Sequence, residues 1–194
     1  MNQVVLITGA SSGIGAACAE YLGLRGYRVY GTSRRAPLEA TAAGPFQMIR
    51  MDVNEDASVA RGIGLLLERE GRLDVVVNNA GIVTAGPMED ATLDEAKSQF
   101  ETNFFGVLRV CKAVLPIMRE QRSGHIINIS SLAGRAAAPY QGLYSASKFA
   151  VEGLSEALPR ADHREPPPSA ALHVRLDVPN GRRHAQEFCA LFSL

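Results

Sequence analysis

The 194-residue sequence predicts an α/β protein, a doubly wound parallel sheet with helices on both faces. Three observations predict it. Short apolar runs alternate with segments of helical period, the connections are brief, and the first apolar run passes through a glycine-rich turn directly into a helix. Right-handed crossovers leave few other topologies for such an alternation. No internal repeat interrupts it.

The first strand is the apolar run Val4-Val5-Leu6-Ile7, closed by Thr8-Gly9-Ala10-Ser11-Ser12-Gly13-Ile14-Gly15. Residues 16–24 are helical, with Gly26 as the stop. Strands follow at 28–32 and 46–51, the latter ending at Asp52. Within 55–70, Val59, Ile63, Leu66 and Leu67 recur at helical spacing. A continuous apolar strand at 73–77, of the kind buried on both faces, runs into Asn78-Asn79-Ala80-Gly81. Residues 93–118 read as one helix, with Asn103 inside it and Pro116 positioned to kink its end. A strand at 126–129 and a helix at 146–158 complete the regular part.

The chain divides at Pro159. Residues 1–158 form the predicted dinucleotide-binding and catalytic domain, and 159–194 a divergent tail. Five of the ten prolines fall between Pro159 and Pro179, a composition that does not extend a helix. Alternation of Leu172, Val174, Leu176 and Val178 with polar neighbours predicts one strand at 172–178.

Composition excludes several function classes. Apolar content of 46% with 21% charged residues is that of a globular protein. Twenty basic and twenty acidic residues cancel, which gives no overall drive towards nucleic acid or an anionic membrane. Cys18, Cys111 and Cys189 have no metal spacing and fit a reducing compartment; His163, His173 and His184 have no mutual metal spacing either. No metal site is expected. The start lacks the basic and long apolar regions of a signal peptide, and no apolar run reaches the roughly 18 residues needed to span a bilayer. A soluble cytoplasmic protein is expected.

The glycine turn carries the first functional reading. Gly9-x-x-x-Gly13-x-Gly15 follows a strand and opens a helix, the context that makes such a pattern a dinucleotide site. Gly9 permits a tight turn, Gly13 lets the backbone approach a pyrophosphate, and Gly15 allows close helix–strand packing. The helix start offers free N–H groups and partial positive charge, with Ser11 and Ser12 adding hydroxyl donors. At the end of the second strand, Thr32-Ser33-Arg34-Arg35 contains no acid to take a ribose hydroxyl. An arginine there forms charge-assisted bonds to a 2′-phosphate, so NADP is favoured over NAD.

The second functional reading rests on Tyr144-x-x-x-Lys148, two residues on one helix face. An ammonium close to a phenol stabilises its phenolate, which makes a tyrosine usable as an acid or base near neutral pH. Alone, the pair is also what an exposed amphipathic turn contains.

Together, Thr8 to Gly15, Asp52-Val53, Asn78-Asn79-Ala80-Gly81, Asn103, Ile129-Ser130-Ser131 and Tyr144-x-x-x-Lys148 stand in the order and spacing of the short-chain dehydrogenase/reductases, which the chain resembles up to about Leu158. The resemblance implies a Rossmann-like fold and hydride exchange between a nicotinamide cofactor and an alcohol or carbonyl. It implies that Tyr144 is the acid/base and that Lys148 supports it and bonds the nicotinamide ribose. Ser131, rather than Ser130, would hydrogen-bond the reacting oxygen. Asn103 would hold a water linking the lysine to solvent. Asp52 and Val53 would contact adenine; Asn79, Ala80 and Gly81, with Ile14 and Ser33, would line the cofactor. The helices at 93–118 and 146–158 match those that pair in family dimers and tetramers, so a homo-oligomer is expected. The tail departs from the family: Val178-Pro179-Asn180-Gly181 imperfectly echoes its Pro-Gly turn, and an incomplete substrate lid and final strand are expected. Two functions therefore stand: an NADP-dependent oxidoreductase on a small alcohol or carbonyl, or a shortened relative that binds a nucleotide or a partner protein without turnover.

Overall fold

A computed structural model describes residues 3–158 and the backbone of 169–176. The remainder of the predicted tail, including its Pro-Gly echo, lies outside the described residues. Seven strands form one sheet: β1 (Val4–Ile7), β2 (Arg28–Ser33), β3 (Thr41–Ala43), β4 (Phe46–Arg50), β5 (Val75–Asn78), β6 (Gly124–Ser131) and β7 (Ser169–Leu176). Among the described residues five α-helices accompany them: α1 (Gly13–Leu24), α2 (Asp56–Glu70), α3 (Leu93–Phe100), α4 (Gly106–Gln121) and α5 (Gly142–Ala157). The strand order is β3-β4-β2-β1-β5-β6-β7, parallel except for β3, which pairs antiparallel with β4. This is the doubly wound α/β fold expected.

Sheet topology places the site. From β1 the chain winds outward through β2 to β4, then returns and winds the other way through β5, β6 and β7. The crevice at that switch lies beyond the carboxyl ends of β1 and β5, where doubly wound sheets bind ligands.

Alternate residues of each strand point to opposite faces, and both faces are buried. In β1, Val4 and Leu6 join a core with Ile49, Ile63, Leu66, Val110, Val114 and Val151, beneath α2, α4 and α5. Val5 and Ile7 face a second core with Cys18, Leu22, Val77 and Ile127, beneath α1. Helix ends follow local chemistry. Thr92 and Glu95 form a reciprocal capping box at the start of α3, and Gly71 ends α2 in the left-handed conformation at φ 69°.

Three expectations are corrected. The helix predicted over 93–118 is two helices joined by a π-type turn, Glu101–Phe105, with Asn103 at its centre. The final strand begins at Ser169 rather than 172, and eight of its residues pair along the whole of β6. The edge strand β3 is additional; its three residues are exposed or half-buried and carry no apolar pattern to mark them. Helix α5 begins at Gly142 rather than at 146, so the whole Tyr144–Lys148 pair lies within it.

Candidate active site

The glycine turn is held from behind. Gly9 adopts φ 67°, and a Cβ on it would lie 2.9 Å from Ala80 Cα. A Cβ on Gly15 would lie 2.5 Å from Asn79 Nδ2 and 2.6 Å from Gly9 O. Gly13, at φ 58°, has nothing within 4 Å, so its requirement is for left-handed backbone facing open space. Thr8 Oγ1 accepts from Asn79 N (3.0 Å) and Ala80 N (2.9 Å). Asn79 Nδ2 returns bonds to Thr8 O (2.9 Å) and Gly9 O (3.1 Å). The Asn79 amide therefore fastens the segment after β5 to the glycine turn.

In front of this turn lies a cleft of about 410 Å³. Gly9, Ser11, Ser12 and Ile14 form one wall, Thr32, Ser33 and Arg34 a second, Asp52 and Val53 a third, and Asn79, Ala80 and Gly81 the fourth. Gly13 and Gly15 complete the turn beside it. Ser12 caps α1 without a side-chain hydrogen bond, which leaves N–H groups of the first turn for a ligand. Asp52 Oδ1 accepts from Asn54 N (3.0 Å), and Ser33 Oγ from Arg35 N (3.2 Å). Arg109 on α4 donates to Val53 O (2.8 Å) and to Glu101 (2.6 Å), tying the cleft wall to the π turn. Arg34 is exposed and has no carboxylate partner among the described residues. Two buried polar atoms of cleft residues, Thr32 Oγ1 and Asn54 Oδ1, have no hydrogen-bond partner. A shaped cleft, an open helix terminus, an exposed guanidinium and orphaned acceptors together fit a dinucleotide.

The Tyr144 and Lys148 pair is brought together one helical turn apart on α5, with Lys148 Nζ 5.7 Å from the Tyr144 ring centroid. Lys148 is 6% exposed, and its ammonium donates to Ile129 O at 2.7 Å. Burial pushes its pKa down to about 8, and the charge of Glu152 opposes that shift. Ser131, two residues beyond Ile129, ends β6; its Oγ accepts from Ala133 N (3.1 Å) and caps the short turn Leu132–Gly134. Ser130 is buried with an unpartnered hydroxyl.

Asn103 is fully buried. Its Oδ1 accepts from Ile82 N (2.8 Å), and its Nδ2 donates to Ile82 O (2.9 Å) and Ser147 Oγ (3.0 Å). Ser147 Oγ in turn donates to Tyr144 O (2.7 Å). The Asn103 side chain is a clamp, its amide committed to the segment after Gly81 and to α5. Thr8 and Ser147 were not singled out from the sequence, although both stand within the quoted motifs. Gln99, whose Oε1 accepts from Thr84 N, carried no motif at all.

Other candidates fall outside the site. Burial pushes the Cys111 thiol up to about 12, which makes it a core residue rather than a nucleophile. Among the described residues, no group of His, Cys, Asp and Glu is arranged to hold a metal ion, and no helix is long and apolar enough to cross a membrane.

Residues 3–165 match the family model described as short chain dehydrogenase, and the chain belongs to that family of oxidoreductases. It is 53% identical over 156 residues to a 3-ketodihydrosphingosine reductase of Bacteroides thetaiotaomicron, covering 80% of this chain and 57% of the relative. It is 41% identical over 167 residues to human retinol dehydrogenase 8, covering 80% and 53%. Among solved structures, a metagenomic short-chain oxidoreductase in complex with NADP superposes with a TM-score of 0.83 at 29% identity, covering 97% of this chain and 89% of that one. The chain spans little more than half the length of these two curated relatives.

Proposed function

We propose that this chain is the cofactor-binding and catalytic part of an NADP-dependent oxidoreductase that interconverts an alcohol and a ketone or aldehyde. One observation carries the reading: a lysine only 6% exposed, fixed on a backbone carbonyl one turn from Tyr144. Burying an ammonium is costly, and a surface turn would not do so. The cofactor preference rests on Arg34 in the cleft wall without an acid at the end of β2. The NADP complex of the metagenomic relative supports it. The names of the two curated relatives, a keto-group reductase and a retinol dehydrogenase, support alcohol–carbonyl exchange.

Gly9, Ser11, Ser12 and the start of α1 would hold the pyrophosphate, Asp52 and Val53 the adenine end, and Arg34 the 2′-phosphate. The bound nicotinamide supplies or accepts the hydride. Tyr144 gives a proton to the carbonyl oxygen during reduction and takes one from the alcohol during oxidation. Lys148 places a positive charge on the tyrosine's side of the site and is itself held still by Ile129 O. Ser131 Oγ already accepts from Ala133 N, so its own proton is free to donate to the reacting oxygen. Asn103 and Ser147 hold the backbone at Tyr144 against Ile82. Pairing of two copies through α4 and α5, which expose Phe149 and neighbour exposed Phe105, is the proposed assembly; sedimentation as a monomer at micromolar concentration counts against it.

The test is NADPH consumption with a panel of ketones and aldehydes, wild type against Tyr144→Phe, alongside calorimetric NADPH binding. Turnover should fall by roughly a hundredfold or more in the variant, with binding retained. Activity that survives the substitution overturns the assigned mechanism. NADPH binding without turnover on any carbonyl favours a nucleotide-binding role instead.

A further inference from the structure

Arg109, in the first half of α4, belongs to none of the motifs of the nucleotide cleft and does not line it, yet its guanidinium reaches behind one cleft wall. Its three nitrogens serve three segments. Nη1 donates to Val53 O (2.8 Å), Nη2 to Glu101 Oε1 (2.6 Å) and Nε to the Asp56 carboxylate. Val53 is a wall residue, Asp56 opens α2 and Glu101 opens the π turn. The Asp56 side chain is 87% exposed, and ion pairing in that setting contributes little to stability. What a planar guanidinium adds is direction, because its fork aims an N–H at a backbone carbonyl while both neighbours hold it in plane.

The same wall is fastened at three further points. Gly106, the first residue of α4, lets Val53 lie directly on the helix, since a Cβ there would stand 2.8 Å from Val53 Cγ2. Asn54 Nδ2 donates to Thr102 Oγ1 (3.2 Å), and Asp52 N donates to Ser58 Oγ (2.9 Å). Residues 52–54 lie between β4 and α2, outside any strand or helix, so bonds of this kind set their place beside the cleft. The next residue of the π turn, Asn103, holds the other side of the site through Ile82 and Ser147. Loss of Arg109 leaves those bonds in place and acts on one end of the cleft only.

We infer that Arg109 is a positioning residue for the adenine end of the cofactor: by fixing the Val53 carbonyl to α2 and to the π turn, its guanidinium sets how tightly the cleft grips the adenosine half of a dinucleotide. The inference rests on the nucleotide-binding reading above and adds a residue that shapes the cleft from outside it.

Calorimetry gives the dissociation constants of NADPH, NADH and ADP-ribose for wild type, Arg109→Met, Arg109→Lys, Gly106→Ala and Asp56→Asn. Arg109→Met should weaken the preferred dinucleotide and ADP-ribose, which lacks the nicotinamide, by a similar factor of roughly ten. Arg109→Lys restores the charge without the fork and should keep at least about a threefold loss. Gly106→Ala presses on Val53 from the helix, at a position where alanine suits the backbone, and should weaken both ligands in a chain that retains Arg109. Asp56→Asn alters only the exposed partner and should stay within about twofold. With any ketone that turns over, kcat at saturating cofactor should also stay within about twofold in Arg109→Met, because Asn103 and Ser147 are untouched. Destabilisation that leaves the chain folded at the assay temperature moves the melting temperature and not these constants, so melts of the same samples separate the two. Unchanged constants in both Arg109→Met and Gly106→Ala overturn the inference, as does full recovery in Arg109→Lys or a loss confined to kcat. Wild type that binds no dinucleotide overturns the nucleotide reading and this inference with it. Wild type that binds NADPH and reduces no ketone removes only the catalytic reading, and the dissociation constants still decide the role of Arg109.

Discussion

Lys148→Met separates what the lysine costs the fold from what it contributes to the site. The native ammonium has its pKa pushed down to about 8, against an ordinary value of 10.5, chiefly by burial. That gap corresponds to about 3 kcal/mol of native-state penalty on the charged form. The sign follows from proton binding. At neutral pH both states are protonated and the penalty is present in full. As pH rises through about 8 the native amine releases its proton while the unfolded chain keeps it until about 10.5, so stability rises across that window. Between about pH 7 and about pH 9.5 the gain is roughly 2 kcal/mol. Methionine removes the penalty and also the bond to Ile129 O, worth about 1–2 kcal/mol. The variant should therefore exceed wild type in stability by about 1–2 kcal/mol near pH 7 and match it or fall slightly below it near pH 9.5, while turnover is lost at both. Urea unfolding of the nucleotide-free proteins at several pH values measures the difference, which cancels titrations common to both. A wild-type minus variant difference that stays flat or falls with pH would refute the burial argument.

Three further outcomes are expected. Gly15→Ala should cost about 1–3 kcal/mol and weaken NADPH binding, because its Cβ meets Asn79 Nδ2 and Gly9 O; Gly13→Ala should cost about 1–2 kcal/mol from backbone conformation alone. Calorimetry and thermal melts of the pair distinguish packing from φ. Arg34→Ala should reduce the NADPH-over-NADH preference in kcat/KM by roughly tenfold or more, and an unchanged ratio removes Arg34 from the phosphate site. Asn103→Ala strips partners from both backbone groups of Ile82 and from Ser147, and should destabilise by about 2–4 kcal/mol in denaturant titrations. A loss under about 1 kcal/mol would mean that the clamp is not maintained in solution.

Much of this protein was legible because its information is local. The apolar run at 73–77 reads as a strand buried on both faces, and the strand found there, Val75–Asn78, is buried throughout, as is the apolar run Val4–Ile7. The alternation of strands and helices dictates a parallel sheet, and the glycine turn marks the crevice where that sheet reverses. Periodicity and motif order suffice for these because a strand or helix exposes its burial pattern within a few residues.

The tertiary structure decided the rest. Residues 93–118 keep a helical period throughout, and only the folded backbone shows the π turn between α3 and α4, at whose centre Asn103 is bonded to Ile82 and Ser147. Asn79 reads as a cofactor contact and lines the cleft, and only the folded chain shows that its amide is also bonded to Thr8 and Gly9, about seventy residues earlier. Nothing local marks Gln99, because Thr84, whose N–H its Oε1 accepts, belongs to another segment. The chain determined by itself the motifs and residue types of the candidate site. Which of their side chains hold one another in place was decided by hydrogen bonds between distant segments, whose partners no sequence period encodes.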